Sequence, residues 1–305
     1  AVVVGATPKA GLLSLLAAAA TRVPHRVWWV WGLRSEAGGG RAVRLSEHAT
    51  ARASTSIVAA SPSLIDVIPS GRAPKPLVLG FGSVAGVDLR AFTPAAQPDS
   101  GRTSTSPAAI DPTQPRAPTV AFVGRLAADK GIPDLARIWP QVSARVPAAQ
   151  LLLAGAEDPL DPPGQALTAL CDQPGVTRLG HVADVASLLW RTDVLCLPSR
   201  REGMPAVVLE AAACAVPTVA WDATGSRDAV LDGRTGYLVQ VGDDSAMSGR
   251  LVDLLTSTDR CHQLGTAARL MVTERFGCDQ VELLFADYLE TLVGALDPNP
   301  KAAVT

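Results

Sequence analysis

The chain has 305 residues, enough for two domains that each bury a hydrophobic core. Apolar residues make up 48% of it and charged residues 18%, a balance typical of globular and not of disordered proteins. A formal net charge of −2 gives no electrostatic reason to expect nucleic-acid binding. The five cysteines lack metal-ligand spacing, which favours a reducing, cytoplasmic setting.

The N-terminal part alternates short apolar strands with helices. The apolar run at residues 10–20 is too short to span a bilayer, and no cleavable leader fits the residues after it, so we expect no transmembrane segment. Because the chain begins within an apolar strand, we expect it to be a fragment of a longer protein. The predicted strands are 1–4, 25–31 and 56–60, and the predicted helices are 9–21 and 46–55.

The stretch at residues 94–118 has the composition of a linker. It is rich in Pro, Ser, Thr, Ala and Gln and has almost no large apolar residue, so it is too polar to bury a core. An unstructured passage of this length is uncommon inside one compact domain. We therefore predict a domain boundary here.

From residue 119 onward, short apolar runs alternate regularly with helical patterns. This alternation predicts a parallel sheet with helices on both faces, whose ligands bind at the carboxyl ends of the strands. Pro140 is expected to kink or shorten its helix. The predicted strands are 119–123, 150–154, 176–179, 193–197 and 217–221, and the predicted helices are 132–145, 165–171, 183–190, 206–215, 244–255, 260–274 and 280–296.

The run PSRREGMPAVVLE at residues 198–210 follows a buried strand and opens a helix. Pro205 suits the first helical position, and the free N–H groups of the first turn favour an anion. Glu202 precedes the helix and Glu210 lies in its second turn, so two carboxylates flank the predicted anion site. A ligand that combines phosphate with hydroxyl groups, such as a sugar nucleotide, fits this arrangement.

A second charged loop, in the run FVGRLAADKG at residues 122–131, follows the strand at 119–123. Arg125 offers a planar fork of donors and Lys130 a point charge, both suited to a diphosphate. Lys130 is one of only four lysines in the chain, which makes it less typical of a surface filler. Positive charge here would also stabilise a nucleoside diphosphate as it leaves.

Three motifs together resemble one family. The run EGMPAVVLE at 202–210 resembles the two-glutamate motif of retaining GT-B glycosyltransferases of the large family-4-like group. The run at 122–131 is similar to that group's strand-loop-helix with its Arg and Lys, and GSRDAVLDGRTGYLV at 225–239 resembles its next segment in capsule and exopolysaccharide members.

The resemblance implies an α/β protein of two Rossmann-like domains facing a cleft, the first incomplete. The implied divisions are an acceptor-binding domain at 1–93, a linker at 94–118, a nucleotide-sugar-binding domain at 119–275, and a helix with tail at 276–305 that crosses back to the first domain.

The resemblance also implies the reaction. A sugar would pass from a nucleotide sugar, with UDP preferred, to an acceptor hydroxyl with retention, in cell-envelope or extracellular polysaccharide synthesis. The acceptor would be a glycan or lipid-linked, the protein cytoplasmic with peripheral contact at the inner membrane face, and no metal or nucleic acid is expected. Glu210 would bind the ribose hydroxyls, and Glu202 the sugar. The implied catalytic residues are Arg125, Lys130 and Glu202, and the implied donor-binding residues are Gly124, Arg125, Lys130, Val182, Glu202, Gly203, Met204, Pro205 and Glu210.

The chain departs from this family at positions where related enzymes carry histidine. Val4, Ala6 and Trp31 stand there, and a tryptophan cannot accept a proton. A catalytically weak or inactive nucleotide-sugar-binding partner protein therefore stays open as an alternative. A sugar-nucleotide epimerase is a further alternative, although the N-terminal half shows no convincing acid–base groups for one.

Overall fold

A computed structural model describes residues 1–69, 71–94 and 116–294, so most of the predicted linker at 94–118 lies outside the described residues. Contacts divide the chain into two compact units. The first holds residues 1–86 and the segment from Cys278 onward, and the second holds residues 87–277. The contacts thus divide the chain at residue 86/87, whereas the composition of the sequence places the end of the first domain at residue 93.

The first unit is built on a three-stranded parallel sheet in the order β1-β2-β3. Both crossovers run in the same direction along the sheet, so the right-handed rule puts their helices on one face, where they pack against each other. The second helix begins five residues before its predicted start, directly after the glycine run at 38–40. The elements are β1 (Val2–Gly5), α1 (Pro8–Ala20), β2 (His25–Val30), α2 (Arg41–Ala53) and β3 (Ser56–Ala59).

The last described helix, α10 (Cys278–Gly294), belongs to this first unit. Its Phe285 ring stacks on Trp29 with ring centroids 4.0 Å apart. Trp28 of the same strand is buried on the α1 side, where a Cβ added at Gly11 would lie 3.5 Å from its indole nitrogen. Because successive strand residues point to opposite faces, α10 packs on the sheet face away from α1 and α2.

The second unit is a six-stranded, wholly parallel sheet in the order β6-β5-β4-β7-β8-β9. The predicted α/β class with doubly wound parallel sheets is confirmed. The four-residue strand β9 and the one-turn helix α7 have no counterpart among the predicted elements. The elements are β4 (Thr119–Val123), α3 (Ile132–Arg145), β5 (Gln150–Ala154), α4 (Gln165–Cys171), β6 (Val176–Gly180), α5 (Val185–Leu189), β7 (Val194–Leu197), α6 (Ala206–Ala213), β8 (Thr218–Trp221), α7 (Ser226–Ala229), β9 (Gly236–Val239), α8 (Asp244–Leu255) and α9 (Thr258–Arg275).

Helix α3 continues through Pro140 to Arg145, so the predicted shortening is wrong. Pro140 lies on the exposed side, whereas the neighbouring Trp139 and Val142 are fully buried. Pro140 has no backbone N–H, so the helix lacks one hydrogen bond there. Burial of large side chains in the core offsets this loss and keeps the segment helical.

Chain order reverses between β4 and β7. The strands β5 and β6 lie to one side of β4, and β7, β8 and β9 to the other. Such a reversal opens a crevice at the carboxyl ends of the two central strands, which is where ligands bind in open α/β sheets. The loops that follow β4 and β7 are the two loops that the sequence predicts to be functional.

Candidate functional site

The loop after β4, residues 124–131 (the β4 loop), is held tightly against the loop after β5. A Cβ added at Gly155 would lie 1.8 Å from the Gly124 carbonyl oxygen, and Gly155 has φ +144°. The Leu126 amide donates to the Ala156 carbonyl at 2.8 Å, and the Leu126 side chain is fully buried. The neighbouring Arg125 side chain is half exposed as a result.

The Arg125 guanidinium lies among carboxylates. It donates to Asp158, and its Nη2 is 3.5 Å from Oδ2 of Asp129. The same Oδ2 of Asp129 accepts a hydrogen bond from Nη2 of Arg201 at 3.0 Å. Asp129 therefore joins an arginine of the β4 loop to an arginine that directly precedes Glu202.

Lys130 and Glu202, two of the predicted catalytic residues, bind each other. Nζ of Lys130 lies 2.6 Å from Oε1 and 2.7 Å from Oε2 of Glu202. Their side chains are 19% and 12% exposed, so the pair is largely removed from solvent. The predicted cation and the predicted sugar-binding carboxylate thus form one charged unit at the switch point.

Backbone packing brings these two side chains together. Gly131, with φ +81°, has no room for a side chain, because a Cβ there would lie 1.9 Å from the Pro198 carbonyl oxygen. The Arg200 amide donates to the Asp129 carbonyl at 3.0 Å. The β4 loop and the loop after β7, residues 198–205 (the β7 loop), are therefore in direct backbone contact.

The end of the β7 loop is equally constrained. The Glu202 amide donates to the Thr224 carbonyl at 2.9 Å. A Cβ added at Gly225, with φ +76°, would lie 2.5 Å from the Gly203 carbonyl oxygen. Gly203 and Met204 are buried, as Pro205 is. Close packing from the loop after β8 thus fixes the backbone that the sequence predicts to contact a ligand.

Helix α6 begins at Ala206, and Pro205 is its N-cap with φ −72° and ψ 103°. The interpretation of Pro205 as the first helical residue is wrong by one position, because its ψ is extended. No described side chain caps this helix, so its first-turn N–H groups keep the anion-binding character expected of them.

Glu210 lies in the second turn of α6 and is partly buried. Burial raises the pKa of its carboxyl group. Its carboxylate makes no hydrogen bond or ion pair with any residue in the described ranges. A carboxylate that is half removed from water and lacks a protein partner is suited to accept hydrogen bonds from a ligand.

Val182 follows β6, two strands away from β4 in the sheet. Its side chain packs against Leu152, Ala154 and Leu188. Among the described contacts, no hydrogen bond or ion pair links Val182 or Glu210 to the charged β4 loop. The predicted site residues thus lie along one edge of the sheet, and among the described side-chain hydrogen bonds and ion pairs only that of Lys130 with Glu202 joins two of them.

Sequence reasoning missed Asp129, Asp158 and Arg201. Asp129 and Arg201 directly precede Lys130 and Glu202, so their positions beside predicted site residues were a usable signal. Asp158 follows β5 and carried no such signal. In the described parts of the chain, no group of three or more His, Cys, Asp or Glu residues could hold a metal ion.

A doubly wound parallel sheet with a paired lysine, arginines and carboxylates at its switch point defines a Rossmann-like ligand-binding protein. Residues 117–257 match the family described as Glycosyl transferases group 1. These residues therefore carry a Glycosyl transferases group 1 domain.

Two curated relatives show how far the similarity extends. The capsular polysaccharide biosynthesis glycosyltransferase CapM of Staphylococcus aureus is 29% identical over 301 residues, covering 94% of this chain and 77% of CapM. A GDP-mannose-dependent monoacylated alpha-(1-6)-phosphatidylinositol monomannoside mannosyltransferase of Corynebacterium glutamicum is 32% identical over 197 residues, covering 62% of this chain. The chain spans only 50% of the length of that second relative.

One solved structure with a similar fold is that of HepE of Anabaena, in complex with UDP and glucose. The two chains superpose with a TM-score of 0.75 at 20% identity, covering 94% of this chain and 78% of HepE. At that identity the likeness establishes the fold. Separately, no helix in the described ranges is long and apolar enough to cross a membrane.

Proposed function

We propose that this chain transfers a glycosyl unit from a UDP-sugar to an acceptor hydroxyl, with retention at the anomeric carbon, in cell-envelope or extracellular polysaccharide synthesis. The observation that carries the proposal is the pairing of Lys130 with Glu202 at the switch point of the sheet, with Arg125 in the same loop as Lys130. The group 1 domain, the CapM relative and the UDP complex of HepE support the same assignment.

The donor diphosphate would bind the cations of the β4 loop. Arg125 is half exposed, and a guanidinium has five N–H donors, so its contacts with two carboxylates leave donors for an anion. Lys130 would exchange part of its contact with Glu202 for a phosphate oxygen. Both cations stabilise the negative charge that grows on the diphosphate as it leaves, which lowers the barrier.

The two glutamates would bind hydroxyl groups. Once Lys130 turns toward phosphate, oxygens of Glu202 can accept hydrogen bonds from the donor sugar. Glu210, which makes no hydrogen bond or ion pair with a described residue, would accept from both ribose hydroxyls. The backbone N–H groups of Gly203 to Ala206 would bind sugar or phosphate, and the backbone around Val182 would contact the base.

Retention follows if the acceptor oxygen attacks on the face that the diphosphate leaves. The bond from the acceptor oxygen to the anomeric carbon forms as the bond from that carbon to the phosphate oxygen breaks. The leaving phosphate oxygen takes the acceptor proton, so no protein base is needed. Because Arg125 and Lys130 meet the diphosphate charge, we propose a site that works without a metal.

The acceptor would be a growing glycan or a lipid-linked sugar, reached at the inner face of the membrane. This part of the proposal is supported by the capsular relative, whose name states its role in polysaccharide synthesis. It also agrees with the predicted cytoplasmic setting.

A second candidate function is nucleotide-sugar binding without transfer. Trp31, which stands where related enzymes carry histidine, is 42% exposed and lies edge-on to Trp29 with ring centroids 5.9 Å apart. Its indole offers one N–H donor and no proton acceptor. A site without that histidine would bind a donor and transfer it slowly or not at all.

The test is calorimetric titration of UDP, GDP and ADP, followed by NMR detection of the product formed from UDP-sugars. Arg125→Ala should weaken UDP binding about 10- to 100-fold, the loss of a charge-assisted hydrogen bond. Glu210→Ala should weaken UDP more than an unrelated diphosphate, whereas Arg145→Ala, an exposed arginine on α3, should change nothing.

The outcomes separate the candidates. UDP binding with an α-configured product from an α-linked donor supports retaining transfer. An inverted product contradicts retention, and binding without transfer or hydrolysis supports the second candidate. No binding of any nucleotide by the folded protein would overturn both.

A further inference from the structure

The outward surface of α1 and α2 combines exposed leucines with basic residues. On each helix the exposed residues recur at helical spacing and form one stripe. The opposite stripe is buried, as Gly11 and Leu15 show on α1. Because α1 and α2 lie side by side on one sheet face, the two stripes form a continuous surface. We call this surface, consisting of Lys9, Leu13, Leu16, Arg44, Leu45 and Arg52, the α1–α2 outer face.

The α1–α2 outer face is exposed, and α10 leaves it uncovered. Leu13, Leu16 and Leu45 are 59%, 44% and 70% exposed. Helix α10 packs on the other side of the sheet, where Phe285 stacks on Trp29. A single exposed leucine needs no explanation, but three on adjoining helices form an apolar patch.

The charge of this face is of one sign. Helix α1 has no acidic residue, and the one acidic residue of α2, Glu47, is 4% exposed and accepts a hydrogen bond from the Ser35 amide at 3.1 Å. Lys9, Arg44 and Arg52 are exposed and form no ion pair with a carboxylate in the described ranges. The negative charge of Glu47 is therefore turned inward, and positive charge faces solvent.

This sign is opposite to that of the rest of the chain. Residues 1–60 contain seven Lys or Arg and two Glu, whereas the remaining residues contain twenty Lys or Arg and twenty-seven Asp or Glu. The protein as a whole would be weakly repelled by an anionic surface. The protein can therefore be attracted to an anionic surface only through a local face that carries basic residues. That face would then point toward the anionic surface as the protein approaches.

The combination selects one kind of partner. A nucleic acid or an acidic glycan would use the cations and gain nothing from the leucines, and an apolar protein surface would gain nothing from the cations. A bilayer with anionic lipids uses both, because leucines enter the headgroup boundary while Lys and Arg contact lipid phosphates. We infer that the α1–α2 outer face docks this protein on the surface of a bilayer that contains anionic lipids.

The experiment is flotation of the whole chain with vesicles, without any nucleotide, so its result is separate from that for the donor site. The expected result is binding to vesicles of phosphatidylcholine with phosphatidylglycerol, weakened by salt, and little binding to pure phosphatidylcholine. R44Q/R52Q should lower the partition coefficient about 25-fold, at about five-fold per basic residue. L13Q/L45Q should lower it at least about ten-fold.

Matched controls lie in the second unit. R145Q/R191Q makes the same change in net charge at exposed arginines, and L270Q replaces an exposed leucine of α9. Both should keep wild-type vesicle binding, and all variants should keep the wild-type thermal unfolding temperature. Absence of binding to phosphatidylglycerol vesicles, equal losses in the controls, or full binding by L13Q/L45Q would overturn the proposal. Full binding by L13Q/L45Q would show that positive charge alone holds the protein on the vesicle and that the leucines do not enter the bilayer.

Discussion

The ammonium group of Lys130 contacts both carboxylate oxygens of Glu202, at 2.6 and 2.7 Å. One residue comes from the β4 loop and the other from the β7 loop, and both side chains are largely buried. Each charge of the pair neutralises the other in a place that little water reaches. The ion pair also links the β4 loop to the β7 loop. Removing one partner leaves the other charge unpaired in a poorly solvated place.

K130M and E202Q should each lower the free energy of unfolding by about 2 kcal/mol, less than for a fully buried pair because some solvent reaches both groups. The double variant K130M/E202Q should lose clearly less than the two single losses added together, since no charge is left unpaired. Urea unfolding of the four proteins gives the coupling energy directly. Additive losses would show that the pair does not couple the loops.

Asp129 provides a test in which two physical effects have opposite signs. Its carboxylate holds Nη2 of Arg201 at 3.0 Å and lies 3.5 Å from Nη2 of Arg125. D129N removes a negative charge near the proposed diphosphate, so electrostatics alone would tighten UDP binding. If Asp129 positions the arginines, UDP binding should weaken instead, by about ten-fold for one lost charge-assisted hydrogen bond. We expect weakening, measured by calorimetry.

A control for this test removes a carboxylate elsewhere. D253N changes net charge by the same amount on α8, at a side chain that is 53% exposed, and should leave UDP affinity unchanged. Tighter binding of UDP by D129N would refute the positioning role. It would show that Asp129 only reduces the positive charge of the site.

The sequence allowed the strands, helices and predicted site loops of the second unit to be placed well. The bounds of β4, β5, α3, α4 and α8 agree with the predicted ranges, because each has a clear apolar period and a recognisable end. Strand β9 begins with glycine and is only partly buried, whereas the equally short β7 and β8 are fully buried. Whether such a short run forms a strand depends on hydrogen bonding to a neighbouring strand, which sequence patterns do not show.

The internal contacts of the site were not predictable in the same way. Arg125, Lys130 and Glu202 were found from their residue types and positions after strands. That Lys130 binds Glu202, 72 residues away, depends on the close approach of Gly131 to the Pro198 carbonyl. A φ of +81° at Gly131 and the path of two loops decide this contact, and neither is visible as a pattern along the chain.

Glu210 should reduce stability in return for binding. Burial raises the pKa of its carboxyl in the folded protein, so the folded state binds the proton more tightly than the unfolded chain does. The contribution of Glu210 to stability is therefore fully present below its ordinary pKa of 4.5 and is lost as pH rises through the folded pKa. E210Q does not titrate, so at neutral pH it should be about 1 kcal/mol more stable than wild type.

Urea unfolding over a pH series tests this directly. The advantage of E210Q should be absent in acid and grow toward neutrality, while its affinity for UDP falls. Parallel stability curves for the two proteins would show that the Glu210 carboxylate is well solvated in the folded state.

Gly131 should be intolerant of any side chain. G131A places a Cβ 1.9 Å from the Pro198 carbonyl at a left-handed φ, so the β4 and β7 loops must separate. We expect a loss of at least about 2 kcal/mol in the free energy of unfolding, the size of effect that local backbone strain produces. UDP binding should weaken as well, because Lys130 and Glu202 lose their relative position.

The matched control is G249A within α8, where a Cβ would meet nothing within 4 Å. That change should stabilise the protein by about 0.5–1 kcal/mol, since alanine favours a helix over glycine. If G131A unfolds like G249A and binds UDP like wild type, loop contact at Gly131 does not organise the site.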